Sequence, residues 1–166
     1  MEEKLPKRKH PRLNNYDYSS TGAYFVTICT YNRQCILSRV GRGLAPAATE
    51  CTSYGEIAKT ELFRLKDRFP FLEIEHFVIM PNHIHVLFHL KNEAAGASPR
   101  PTIMDIVCAY KSLTAKACKQ AGFVGKFFQT SFYEHIIRDR KDYDEIAKYI
   151  YENPAKWEFD ELHRDE

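Results

Sequence analysis

A chain of 166 residues with 44% hydrophobic and 28% charged side chains has the size and composition of one globular domain, which excludes an intrinsically disordered protein. No apolar run approaches the ~18 residues that cross a bilayer, and the first residues lack the apolar core of a secretion signal, so no membrane association is expected. The formal net charge of +2 is too small to declare a nucleic-acid partner, and its distribution carries more than its sum.

Residues 1–22 are polar, contain Pro6 and Pro11, and end in Ser19-Ser20-Thr21-Gly22. They read as an arm loaded with Lys4, Lys7, Arg8, Lys9 and Arg12. Such an arm can clamp phosphates, and a solvated chain end has the same composition. The β-branched and aromatic run at 24–31 is the first strand. Residues 32–52 read as loop. Ser53-x-x-Glu56 is a capping box that opens a helix to about Arg68, with Ile57, Ala58, Leu62 and Leu65 on one stripe. Residues 72–79 and 83–90 are strands, and Met80-Pro81-Asn82 between them implies an antiparallel pair. A Gly/Ala/Pro loop follows at 91–101. Thr102-x-x-Asp105 caps a second helix to about Gln120, with Ile106, Val107, Tyr110, Leu113 and Ala117 inward and Gly122 and Gly125 after its end. Residues 132–138 are a fourth strand. Asp142 is the candidate cap of a third helix, which Pro154 stops near Asn153. Residues 158–166 form an acidic tail.

The order β-α-β-β-α-β is that of the ferredoxin-like arrangement, an α+β fold with one antiparallel sheet and helices on one face. A C-terminal helix is added, and the other sheet face is left to carry a site. The expected division is an arm at 1–22, one domain at 23–157 and a tail at 158–166. The five cysteines are odd in number and lack a C-x-x-C, which reads as reduced thiols in a cytosolic protein, mostly buried fillers.

The strand from 83 reads His-Ile-His-Val-Leu-Phe-His-Leu. Alternation puts Ile84, Val86, Phe88 and Leu90 on the core face and His83, His85, Leu87 and His89 on the other. Imidazoles at i and i+2 stand side by side, near enough to grip one metal ion. An isolated H-x-H is more often a half-buried sheet pair; the clean alternation and the Met-Pro-Asn lead-in favour the metal. His89 lies two pleats beyond His85 and is at most a neighbour. Leu87 stands where histidine-triad nucleotide hydrolases need a third histidine, and no cysteine pair completes a structural zinc site.

On the last helix Tyr143, Ile146, Ala147 and Ile150 form the inward stripe. Tyr149 and Asn153 are one turn apart and can face one site together, whereas Tyr151 projects elsewhere. Position alone does not select Tyr149 from ten tyrosines, most of which should be packing residues, and Asn153 before proline can be a plain helix terminator.

Met80-Pro-Asn-His-Ile-His-Val-Leu87 resembles the HUH motif of single-tyrosine transposases, and Tyr149-Ile-Tyr-Glu-Asn-Pro154 resembles their tyrosine helix. Tyr18-x-x-x-Gly22-x-Tyr24-Phe-Val-Thr27 and Phe132-Tyr-Glu-His-Ile-Ile-Arg138 further resemble the REP-associated tyrosine transposases, over about residues 8 to 157. The resemblance implies a ferredoxin-like domain that cuts and rejoins single-stranded DNA beside imperfect hairpins. It implies His83 and His85 as metal ligands, Asn153 as an amide ligand, and Tyr149 as the nucleophile of a 5′-phosphotyrosine intermediate. That donor set suits Mg²⁺ or Mn²⁺, with imidazole favouring Mn²⁺. Hairpin or single-stranded DNA is then expected on the arm (Lys7, Arg8, Lys9 and Arg12), on the second helix at Lys111 with Lys116 and Lys119, and at Arg138, Arg140 and Lys141. Tyr16 and Tyr18 are candidate stacking platforms. The expected place is the cytoplasm, with the nucleoid. Lys148 and Lys156 are both candidates to help ionise Tyr149. The resemblance also admits a homodimer whose subunits exchange tyrosine helices. Two other readings remain open from sequence: a hairpin-binding regulator without catalysis, and a phosphodiesterase that uses water.

Overall fold

The computed structural model describes residues 16–41, 48–92 and 100–164. Strand β1 (Gly22–Cys29) leads through a short hairpin, β2 (Ser38–Val40) and β3 (Thr49–Cys51), into helix α1 (Ser53–Arg68). Strands β4 (Leu72–Ile79) and β5 (His83–Leu90), helix α2 (Ile103–Gln120), strand β6 (Tyr133–Ile136) and helix α3 (Arg140–Glu152) follow. The main sheet has the order β4-β5-β1-β6, with every neighbouring pair antiparallel. This is the expected ferredoxin-like sheet with an added helix.

Alternation sorts the side chains between two layers. Tyr24, Val26 and Ile28 of β1 and Ile84, Val86, Phe88 and Leu90 of β5 pack with Ala58, Leu62 and Leu65 of α1 and Ile103, Ile106, Val107 and Tyr110 of α2. The Tyr110 hydroxyl donates to Ala58 O at 3.0 Å, so the one polar atom of that ring is satisfied inside the core. On the other face Phe25, Leu87 and Ile150 form a small second cluster, with Tyr143 and Ile146 against it. Helix α3 therefore covers the face that carries the histidines. Among the described residues no helix is long and apolar enough to cross a membrane.

Several local expectations are corrected. The segment 32–52 holds the β2–β3 hairpin; three-residue strands are too short to show alternation. Thr52, not Ser53, caps α1: Thr52 is extended and accepts from Gly55 N, while Ser53 is already helical. Asp139, not Asp142, caps α3, accepting from Asp142 N at 2.8 Å. Asp142 instead accepts from Arg138 N and from His135 Nε2. On α2 Ile106, Val107 and Tyr110 are buried as expected, but past Tyr110 the buried positions are Thr114 and Cys118, with Leu113 and Ala117 half-buried beside them. Asn153 keeps helical dihedrals, and Pro154 opens a 3-10 turn over Pro154–Phe159. Proline is tolerated there because the first position of a helix has no intrahelical N–H to lose. Tyr18 is a core residue, and Tyr16 packs edge-on against it with ring centroids 5.0 Å apart, so neither is a free stacking platform. The cysteines form no disulfide, but Cys118 alone is buried.

The chain after Phe159 turns back onto the domain. Asn82 Nδ2 donates to Leu162 O at 2.7 Å, and the His163 ring lies 4.8 Å from that of Trp157. Residues 1–15, which hold every basic residue of the expected arm, and the last two acidic residues, Asp165 and Glu166, lie outside the described residues.

Gly55 marks a close approach. A Cβ there would meet Leu37 O at 1.9 Å and the Cys51 side chain at 3.1 Å. Backbone cannot yield as a side-chain tip can, so Gly55→Ala is expected to cost about 1–3 kcal/mol despite alanine's better helix propensity. Urea denaturation checks this; an unchanged or raised midpoint contradicts it.

Candidate active site

Strand β5 delivers His83 and His85 to the α3 side with 0% and 2% exposure, their rings 4.5 Å apart. Each ring is tied down through Nδ1. His83 Nδ1–H donates to Asn82 Oδ1 at 2.8 Å, and Asn82 is oriented by its own Nδ2 donating to Leu162 O. His85 Nδ1 lies 2.8 Å from Thr27 Oγ1, across the β1–β5 register. Asn82 Oδ1 can only accept, so His83 carries its proton on Nδ1 and presents an Nε2 lone pair; His85 presents one when its Nδ1–H donates to the Thr27 hydroxyl. Both Nε2 atoms are buried without a hydrogen-bond partner, and so is Asn153 Oδ1. Asn153, at the end of α3, is 2% exposed.

A buried acceptor without a partner costs roughly 1–3 kcal/mol. Three of them together form a donor set that one cation would satisfy at once. Asp160 adds a carboxylate: ligand atoms of His83, His85 and Asp160 all lie within 4.8 Å of one another. Two imidazoles, an amide oxygen and a carboxylate fit a divalent ion of the Mn²⁺ type.

Burial pushes the His83 imidazole down to about 4, partly offset by the Asp160 charge, and pushes His85 well below its ordinary value. Both are therefore neutral and ligand-ready at neutral pH. The unfolded chain, with histidines near 6.5, takes up protons between pH 6.5 and 4 that the native site refuses, so stability falls as pH falls through that window. Metal-free protein is expected to lose on the order of a few kcal/mol between pH 7 and 4.5. Denaturation at stepped pH measures it, and a flat profile from 7 to 5 contradicts it.

Tyr149 stands on α3 with its ring 5.1 Å from that of His85 and edge-on to Phe25 at 6.0 Å. The ring is 42% exposed, whereas Tyr151 is 73% exposed and contributes nothing to this face. Tyr149, His83, His85 and Asn153 thus meet within a single chain. Burial raises the Tyr149 phenol above its ordinary value, and the Asp160 charge adds to the shift. Lys148 and Lys156, the candidates to oppose that shift, both pair with Glu152, at 3.7 and 2.5 Å. Beside the tyrosine opens a cleft of about 990 Å³, lined by Phe25, His85, Gln129, Phe132, Tyr133 and Tyr149 among others.

The basic residues are less concentrated. Lys7, Arg8, Lys9 and Arg12 lie outside the described residues. Lys111 is half-buried and donates to Gln129 O and Thr130 O at 2.5 and 2.9 Å. Arg138 is exposed. Arg140 pairs with Asp144 at 3.0 Å and lies over the Tyr143 ring. His89 stands apart from the site, 3.3 Å from Glu75.

Three residues of the site were not reached by sequence reasoning. Thr27 follows only from the β1–β5 register. Asn82 lies in the Met-Pro-Asn lead-in, which marks it without giving its role. Asp160 looks like one more charge in an acidic tail.

No family model matches the chain. An uncharacterized protein of Haemophilus influenzae is 31% identical over 173 residues, spanning 95% of this chain and 94% of the relative. The REP-associated tyrosine transposase of Escherichia coli is 26% identical over 157 residues, spanning 89% of this chain and 81% of that one. The fold is shared with the solved REP-associated tyrosine transposase bound to a REP hairpin, at a TM-score of 0.63 and 24% identity over 89% of this chain and 74% of that one. Over nearly its full length the chain is similar in sequence to REP-associated tyrosine transposases, and it shares the fold of the solved one.

Proposed function

We propose that this protein is a REP-associated tyrosine transposase, a metal-dependent endonuclease and strand transferase acting on single-stranded DNA beside hairpins. The carrying observation is the buried pair His83 and His85, rings 4.5 Å apart and each Nε2 without a partner, on the face where Tyr149 packs 5.1 Å from His85.

His83 Nε2, His85 Nε2 and Asn153 Oδ1 would hold a divalent ion, Mg²⁺ or Mn²⁺. Such an ion, when bound, neutralises charge on a phosphate oxygen. Asn82 fixes the His83 tautomer, Thr27 orients the His85 ring, and α3 holds Tyr149 beside them. The Tyr149 oxygen attacks phosphorus in line. The O–P bond forms as the P–O3′ bond breaks, the phenolic proton leaves, and the departing 3′-oxygen takes one up from solvent. The product is a 5′-phosphotyrosine and a free 3′-hydroxyl. The ester retains the bond energy, so another strand's 3′-hydroxyl can reverse the step and join. No nucleotide triphosphate is required. Because the ring and the imidazoles meet in one chain, the reaction needs no exchanged helix from a second copy.

The solved relative is bound to a REP hairpin, and a hairpin is the substrate we assign here. The exposed Arg138 and Arg140, at the entry to α3, would meet its phosphates, and Lys111 would contribute from α2. The basic arm, with Lys7, Arg8, Lys9 and Arg12, would clamp the stem. The cleft beside Tyr149 is wide enough for an unpaired nucleotide, with Phe132 and Tyr133 as stacking surfaces. Such a protein would work in the cytoplasm, at the nucleoid.

Labelled hairpins with single-stranded flanks, incubated with Mn²⁺, are expected to yield a denaturation-resistant adduct that maps to Tyr149. Absence of an adduct across a broad hairpin library, with binding intact, would leave the regulator reading instead.

A further inference from the structure

We infer that Asp160 is a fourth protein ligand of the ion, making the site a two-histidine, one-amide, one-carboxylate centre. The inference rests on the metal reading of His83, His85 and Asn153. Its Asp160 carboxylate shares a 4.8 Å circle with the two imidazoles. Ligand atoms on opposite sides of an ion at about 2.1 Å stand about 4 Å apart, so the grouping needs little movement to close on one ion.

The carboxylate is held ready. The 3-10 turn over Pro154–Phe159 ends with Asp160 N donating to Trp157 O, and Trp157 packs 5.9 Å from the His83 ring. Asp160 Oδ1 accepts from Leu162 N at 2.7 Å. Oδ2 accepts from Asn153 Nδ2 at 3.1 Å, which leaves Asn153 Oδ1 unpartnered. Each carboxylate oxygen keeps a further lone pair.

Charge makes the same demand. Two neutral imidazoles and an amide carry none, and a dication between side chains 0–2% exposed has little water to compensate it. Asp160 is the carboxylate grouped with the histidines, and its oxygen also suits a hard ion. Four protein ligands leave two places on a six-coordinate ion, one for a phosphate oxygen and one for water.

Mn²⁺ titration of the full chain without DNA, followed by electron paramagnetic resonance, tests this. Asp160→Asn is expected to weaken Mn²⁺ binding at least tenfold. In the wild type, counting of directly bound ¹⁷O-water is expected to give two waters, and this needs no variant to fold. Wild-type affinity in Asp160→Asn, with binding lost in His85→Ala, would overturn the fourth ligand and leave the metal site standing. Three waters in the wild type would likewise reduce Asp160 to a positioning residue for Asn153. A wild type that binds no Mn²⁺ would overturn both readings.

Discussion

Tyr149→Phe is expected to abolish the covalent DNA adduct and to reduce strand cleavage by on the order of 10³-fold or more, while hairpin affinity stays within about twofold. The substitution removes one oxygen and keeps the ring. What the ring does structurally is pack against His85 and Phe25, and phenylalanine does that equally well. The hydroxyl is therefore separable from the fold. Tyr151→Phe, two residues on, is the matched comparison: that ring is 73% exposed, and its loss should leave adduct yield unchanged. Denaturing gels with labelled DNA read the adduct, and filter binding reads affinity. Cleavage that survives in Tyr149→Phe would mean that water is the nucleophile, and the phosphodiesterase reading would replace ours.

The parts of the site that were legible in sequence are those fixed by a short period. The strand repeat of two separates Ile84 and Val86 from His83 and His85, and the structure keeps that separation without exception along β5. One helical turn links Tyr149 to Asn153. Both arguments are local and need no knowledge of neighbours. Thr27 and Asp160 are not local: one is brought to His85 by strand pairing 58 residues away in sequence, the other by a 3-10 turn that folds the chain back under Trp157. Pro154 marks the end of α3, which stops at Glu152 as expected, but it gives no sign of the 3-10 turn that follows, and Asn153 keeps helical dihedrals before it. The same limit explains Tyr18, whose polar, turn-rich surroundings resemble an arm although its ring lies in the core. Nor does the pattern of positive charge near α3 show by itself which cations carry local partners. Arg140 and Lys148 carry their own partners, Asp144 and Glu152, at i+4.

His85→Ala is expected to remove metal dependence altogether. Wild-type protein at a Mn²⁺ concentration of about 100 times its Kd should gain about 2.7 kcal/mol of stability from the ion, and the variant should gain none. Adduct formation should fall by on the order of 10³-fold, with no recovery at higher Mn²⁺. Stability without metal is the discriminating control, because two effects oppose each other there. Truncating a side chain that is 2% exposed leaves a cavity and strands the Thr27 hydroxyl. It also deletes an unpartnered buried nitrogen and one of the two groups that destabilise the fold at low pH. A modest loss at pH 7 that narrows by pH 5 is therefore expected. If Mn²⁺ stabilised the variant as much as the wild type, the imidazole would be a packing residue, and the metal would have to bind elsewhere.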